Sequence, residues 1–216
     1  MATRSNIVEL RNLLAERFPQ RRIPPQARIA TGIPPLDDAV GGGLSKGAIT
    51  ELTSPNVSAG TALLIARLLE TAHQERFFLA LIDGRDSFDP QPLGNVRLRN
   101  LLWVRCRKTV EAIKAADLLL RDGNFPIVVL DLVLNAADEL RKIPQTSWYR
   151  LQRLVEPAPT AFLVLTRRSI ISSAQTKLVL ENNWRLPDLQ PENNWARLRI
   201  HVQRVQGGRQ EATGTA

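Results

Sequence analysis

Apolar positions along the chain fall into two periods. Residues 48–53 form a short strand pattern, and runs that are apolar almost throughout occupy residues 76–82, 101–104, 125–130 and 161–166; two of these runs close on an acid, Asp83 and Asp131. Such runs predict strands buried on both faces. Between them, residues 61–73, 110–120 and 136–155 repeat apolar side chains every three or four positions and predict helices, the last broken at Pro144. Strands alternating with helices predict an α/β fold, a mostly parallel twisted sheet with helices on both faces. The end of the chain changes period. Residues 176–184 and 195–205 alternate, with Leu198, Ile200 and Val202 set against Arg197, Arg199 and His201, and a Pro- and Asn-rich stretch separates them. This pattern predicts an antiparallel C-terminal hairpin at one edge of the sheet. Residues 207–216 read as a disordered tail.

Ahead of the sheet, Ile7, Leu10, Leu14 and Phe18 form one stripe of an amphipathic helix over residues 5–18, with Ser5 placed to cap it and Pro19 to stop it. Residues 19–30, rich in Pro and Arg, read as an extended linker. The division expected is therefore an N-terminal helix and linker (1–31), a core domain (32–206) and the tail. The stripe needs burial, on its own domain or on another chain. Helical stripes of this kind usually face their own core.

Composition adds limits. At 44% hydrophobic residues the chain can build a substantial core. No apolar run approaches the roughly 20 residues that cross a bilayer, and residues 1–10 lack a signal-peptide apolar segment. A single cysteine, Cys106, excludes an internal disulfide and suits a reducing cytoplasm. The expectation is a cytoplasmic protein with no membrane contact. The formal net charge of +8 favours acidic partners, nucleic acid foremost. The arginines are spread along the chain, so solvation of the surface is an equal alternative.

In open α/β sheets ligands bind at the carboxyl ends of the strands. Three features fall there: the loop 54–60, Asp83 and Asp131. A loop that opens a helix after the first strand can cradle phosphate with backbone amides, and an acid closing a buried strand can hold magnesium. The sequence then becomes specific. The run Leu36-Asp37-Asp38-Ala39-Val40-Gly41-Gly42-Gly43-Leu44-Ser45-Lys46-Gly47-Ala48-Ile49-Thr50-Glu51-Leu52 resembles the lead-in to the phosphate loop of the RecA core. Leu81-Ile82-Asp83-Gly84-Arg85-Asp86-Ser87-Phe88-Asp89-Pro90 resembles the segment after the second RecA strand, and Ile127-Val128-Val129-Leu130-Asp131 the Walker B strand. Residues 163–168 match the strand that leads to the family's nucleotide-sensing polar pair. The likeness covers about residues 32–205 and implies a RecA-like core.

The departures from the pattern are chemical. Walker A has Gly-x-x-x-x-Gly-Lys-Ser/Thr. Here the stretch is Ser54-Pro55-Asn56-Val57-Ser58-Ala59-Gly60-Thr61. Ser54 and Ala59 stand for the glycines, Gly60 for the lysine, and only Thr61, the magnesium-ligand position, is kept. The glutamate that would activate water is replaced by Arg85, which cannot act as a base. The sensing Asn-Gln pair is replaced by Arg167-Arg168. The residues Ser54, Ser58, Ala59, Gly60, Thr61, Asp83 and Asp131 are thus expected to be a vestigial nucleotide site without hydrolysis. No cofactor is expected, with weak Mg-ATP binding through backbone amides left open. Plainer readings stand beside this one: Asp83 and Asp131 as caps of strand ends, Thr61 as a first-turn helix residue, and Cys106 as a structural thiol. Trp148, Tyr149, Trp184 and Trp195 read as packing residues ahead of base-stacking ones. His73 and His201 have no companion ligands for a metal or triad.

A short RecA-like chain with a degenerate phosphate loop and an N-terminal helix on a Pro/Arg linker resembles the ImuA family. That resemblance implies an accessory role in DNA-damage-induced translesion synthesis. It implies partners in an ImuB-like inactive Y-family polymerase and an error-prone replicative-type polymerase, and a nucleoid location when engaged. The RecA likeness further implies that Ile7, Leu10, Leu14 and Phe18 dock on RecA or on a second copy, and that Arg167 and Arg168 approach single-stranded DNA. A RecA-type DNA-dependent ATPase with an unusual phosphate loop and a SulA-like cell-division inhibitor are the alternatives.

Overall fold

The structure is a computed structural model that describes residues 27–56, 59–184 and 194–205. The expected N-terminal helix and its stripe Ile7, Leu10, Leu14 and Phe18, Ser58 of the phosphate loop, and the tail lie outside the described residues. The body is a seven-stranded sheet built from β3 (Ala48–Thr53), β4 (Leu79–Asp83), β5 (Leu101–Arg105), β6 (Ile127–Asp131), β7 (Ala161–Thr166), β8 (Thr176–Leu180) and β9 (Ile200–Val205). Their order is β5-β4-β6-β7-β3-β8-β9, parallel except for the last pair. This is the mostly parallel sheet with an antiparallel β8–β9 hairpin that the hydrophobic pattern predicts, and it is the plan of a RecA-like core.

Successive side chains of a strand point to opposite faces, so a strand covered on both sides must be apolar at every position. Leu79 and Leu81 of β4 join Leu52, Val129, Leu163 and Leu165 on one face, while Ala80 and Ile82 join Ile49, Val128, Leu130 and Phe162 on the other. The first face is covered by α1 (Pro34–Val40) and α2 (Thr61–Gln74), through Leu36, Leu64, Leu68 and Leu69. The second is covered by α4 (Thr109–Asp122) and α6 (Gln145–Val155), through Ala112, Ala116, Trp148 and Leu151. The short helices α3 (Gly94–Leu98) and α5 (Ala137–Arg141) fill connections. Pro144 divides α5 from α6 as predicted: its backbone is extended and it stands as N-cap of α6.

Three local differences from the pattern have physical causes. The strand expected from residue 76 begins at Leu79, because Arg76 takes a left-handed conformation that ends the turn after α2 and leaves Phe78 exposed. Val202, on the apolar side of the alternation, is 44% exposed. It lies on the outermost strand, where only Ile200 is partly covered, and the β8–β9 register shifts between Lys177 and Leu178. Within the stretch read as linker, β1 (Arg28–Ile29) pairs with β2 (Leu44–Ser45). Gly43 (φ 119°) makes this ribbon possible, since a Cβ there would lie 2.3 Å from the Ile29 carbonyl oxygen. Arg28 clamps the ribbon by donating to the carbonyls of Val40 and Gly43.

Candidate functional site: the carboxyl rim of the sheet

The parallel strands bring Thr53, Asp83, Asp131 and Thr166 to one rim: Thr53 pairs with Thr166 and Asp83 with Asp131. Two acids singled out in the sequence, Asp83 and Asp131, therefore share one end of the sheet with Ser54, Ala59, Gly60 and Thr61. What each does there differs from a working nucleotide site.

Asp83 is buried, and its carboxylate is consumed by its own turn. It accepts from the backbone N–H groups of Arg85 (3.2 Å), Ser87 (2.8 Å) and Phe88 (2.8 Å), from the Ser87 hydroxyl (3.4 Å) and from Trp103 Nε1 (3.4 Å). A carboxylate with this many donors closes a loop and has little left for a ligand. Arg85, in the position of the activating acid, is exposed and donates to the Arg107 carbonyl at 3.1 Å. Asp131 is the less satisfied acid. It accepts one backbone N–H, from Val133 at 3.0 Å. It keeps partial solvent contact, yet its carboxyl lies among strand ends, and loss of hydration pushes its pKa up to about 6, with the negative charge of Asp83 adding to the rise. Among the described residues no group of three His, Cys, Asp or Glu side chains is placed to hold a metal.

In the loop after β3, the described residues Ser54, Asn56 and Ala59 bond to one another, to β7 and to Trp184. Ser54 is buried, its N–H extends the β3–β7 ladder to the Thr166 carbonyl (2.7 Å), and its hydroxyl donates to the Asn56 carbonyl (2.9 Å). The Ala59 amide donates to the Asn56 carbonyl at 3.2 Å, an internal turn. Gly60 is the N-cap of α2 with φ 106° and ψ 20°, a backbone that an L-residue such as lysine adopts only under strain. Thr61 opens α2 as its first residue and is buried. In front of Gly60 stand two side chains from the far end of the chain. A Cβ at position 60 would lie 2.8 Å from Leu198 Cδ2 and 2.9 Å from Trp184 Nε1. The Trp184 indole N–H donates to the Ala59 carbonyl at 3.2 Å.

The third loop of the rim follows β7. Arg167 and Arg168 are exposed there and have no hydrogen-bond or ion-pair partner among the described residues. The loop is tied down by Glu51, a fully buried acid in the middle of β3 that the sequence reading passed over. Its carboxylate accepts from the Ser169 hydroxyl (2.8 Å), Ile170 N–H (2.6 Å) and Ile171 N–H (3.1 Å), and pairs with Lys177 Nζ at 3.2 Å. The signal was present: an acid inside a strand that is otherwise Ala, Ile, Leu and Thr must have partners.

The remaining candidates are packing residues. Cys106 is buried, and burial, with the negative charges of Glu111 and Asp83 adding to it, raises its pKa. Trp148 is 1% exposed, whereas Tyr149 beside it is half exposed. Trp184 and Trp195 pack on the α2 face, with the guanidinium of Arg197 over the first at 5.3 Å and that of Arg67 over the second at 4.7 Å. His73 approaches Asn100 Oδ1 at 3.3 Å and His201 approaches Glu181 at 3.5 Å. Among the described residues no helix is long and apolar enough to cross a membrane.

No protein-family model matches the chain. It is similar to the curated "Protein RecA" of Frankia alni, at 34% identity over 113 residues, which is 51% of this chain and 32% of that protein. It is 36% identical to Protein RecA of Chlorobaculum parvum over 109 residues, 49% of this chain and 31% of the relative. Protein RecA of Rhizobium rhizogenes matches at 35% over 109 residues, 49% and 30% of the two chains. The chain is RecA-like. The matches span about a third of the length of the curated relatives. At the rim of this RecA-like body Asp83 is used by its own turn and the Ala59 carbonyl by Trp184.

Proposed function

We propose that this RecA-like chain is a non-hydrolysing accessory factor, ImuA-like, in DNA-damage-induced translesion synthesis. It works through protein contacts, with an ImuB-like inactive Y-family polymerase and an error-prone replicative-type polymerase as partners, and with RecA or a second copy at the N-terminal stripe. Single-stranded DNA is the proposed ligand of Arg167 and Arg168, two exposed guanidiniums without internal partners on a loop that Glu51 holds in place. The observation that carries the non-hydrolysing part is Gly60. The position that should supply a cation to the β- and γ-phosphates has no side chain, has a backbone suited to glycine, and faces Trp184 and Leu198. Arg85 in place of an activating acid supports the same reading, since a guanidinium cannot take a proton from water.

The test is a phosphate-release assay with Mg-ATP and single-stranded DNA, run beside co-purification with the ImuB-like polymerase of the same organism. Stable co-purification without phosphate release is the expected result. DNA-stimulated release that is lost in Thr61→Ala would replace the accessory factor by a RecA-type ATPase. Absence of the polymerase complex together with a block of FtsZ polymerisation would replace it by a SulA-like inhibitor.

A further inference from the structure

The segment that leaves β8 and the one that enters β9 meet at Ala59 and Gly60. Asn182 is buried and joins the two: its Nδ2 donates to the Arg197 carbonyl at 3.0 Å, and its Oδ1 accepts from the Arg199 N–H at 2.6 Å. The clasp places Trp184 and Leu198 side by side against Gly60. Leu198 and Ala59 are both buried in the α2-face core, and the 3-10 turn Asn194–Arg197 packs against α1 and α2. Arg197 covers the ring of Trp184, and Arg67 of α2 covers the ring of Trp195 while donating to the Gly32 carbonyl at 2.8 Å. Contacts from the loop, α1 and α2 therefore converge on this one segment.

We propose that the hairpin is an intramolecular plug of the phosphate loop. The loop serves as a docking socket for Trp184 and Leu198, and glycine at position 60 is what that docking demands. The inference stands independently of the accessory-factor reading, because it concerns which groups occupy the loop and holds whatever the partner is. The argument is steric and polar together. A single carbon added at position 60 overlaps both side chains at under 3.0 Å. The Ala59 carbonyl is engaged by the indole N–H, so the loop's end is satisfied by the hairpin and needs no solvent or ligand. A lysine in this position would have to expel Trp184, and with it the turn that Asn182 clasps.

Amide hydrogen exchange on the whole chain tests this. In Gly60→Ala, exchange of residues 194–198 should rise roughly tenfold while the amides of β6 stay protected, as expected for local undocking. Trp184→Phe, which keeps the ring but removes the N–H donor, should raise exchange in the same segment by a smaller factor. Because φ at position 60 strains alanine by itself, Gly60→Ala is also placed in a Trp184→Ala, Leu198→Ala background. There it should add little further exchange at 194–198. Unchanged exchange at 194–198 in Gly60→Ala would overturn the plug, and so would an equal increment from Gly60→Ala in both backgrounds.

Discussion

Two loops at the same rim of the sheet close in opposite ways. The turn after β4 is closed by its own first residue: Asp83 gathers the N–H groups of residues two, four and five positions ahead. The loop after β3 is closed from 125 positions away, by Trp184 on the Ala59 carbonyl. The loop after β7 also depends on a distant group, Glu51 reaching residues 118 to 120 positions ahead. A locally closed turn keeps its shape when the rest of the molecule changes. A loop closed from afar holds only while its distant partner is docked, and its own residues say little about what fills it.

The contrast can be broken at its ends. The largest expected effect belongs to Glu51→Ala, which leaves Lys177 without its buried partner and three donors of the β7–β8 loop without an acceptor. A loss of about 3–5 kcal/mol in urea unfolding is expected. Asp83→Ala should cost slightly less, about 3 kcal/mol, by freeing the donors of a local turn. If it also undocks the hairpin, the two closures are not independent.

Asp131 gives a pH-dependent effect of the other sign. Its folded pKa of about 6 lies above the ordinary 3.8, so the folded state binds this proton more tightly than the unfolded state. The stability due to that proton is complete below pH 3.8 and is lost as pH rises through 6. Asp131→Asn removes the late penalty and keeps an acceptor for Val133. It should stabilise the protein by up to about 3 kcal/mol at pH 7–8, with the gain vanishing near pH 4. A gain that is flat in pH would show that Asp131 is not held among the strand ends as described.

The smallest effects should come from Trp184→Phe, at about 1 kcal/mol for one lost hydrogen bond, and from Asp86→Asn. Asp86, partly exposed, pairs at 2.5 Å with the exposed Arg105, and its carboxyl is held below the usual range chiefly by that arginine. Its neutralisation should leave the urea midpoint unmoved, since exposed pairs contribute little.

The same division between near and far explains what could be read from the chain. The strands 48–53 and 161–166 were legible to the residue, because short stretches rich in apolar and β-branched residues between polar loops have one physical use in this architecture. The break at Pro144 and the change to a hairpin were equally local signals. The missing lysine and the arginine at 85 could be read as soon as the motif was aligned. The β1–β2 ribbon escaped notice because two residues carry no period. The use of Glu51 and the plug by Trp184 and Leu198 escaped because each depends on a partner more than a hundred positions distant. The exposure of Val202 was not legible, because alternation shows which face a residue joins but not whether anything covers that face at an edge.

We propose that the loop 54–60 of this RecA-like body, with Trp184 and Leu198 set against Gly60, holds no nucleotide tightly. Titration calorimetry of the purified chain with Mg-ATP tests it most directly. No heat of binding is expected at high micromolar protein, whereas saturable binding that Thr61→Ala abolishes would overturn the proposal.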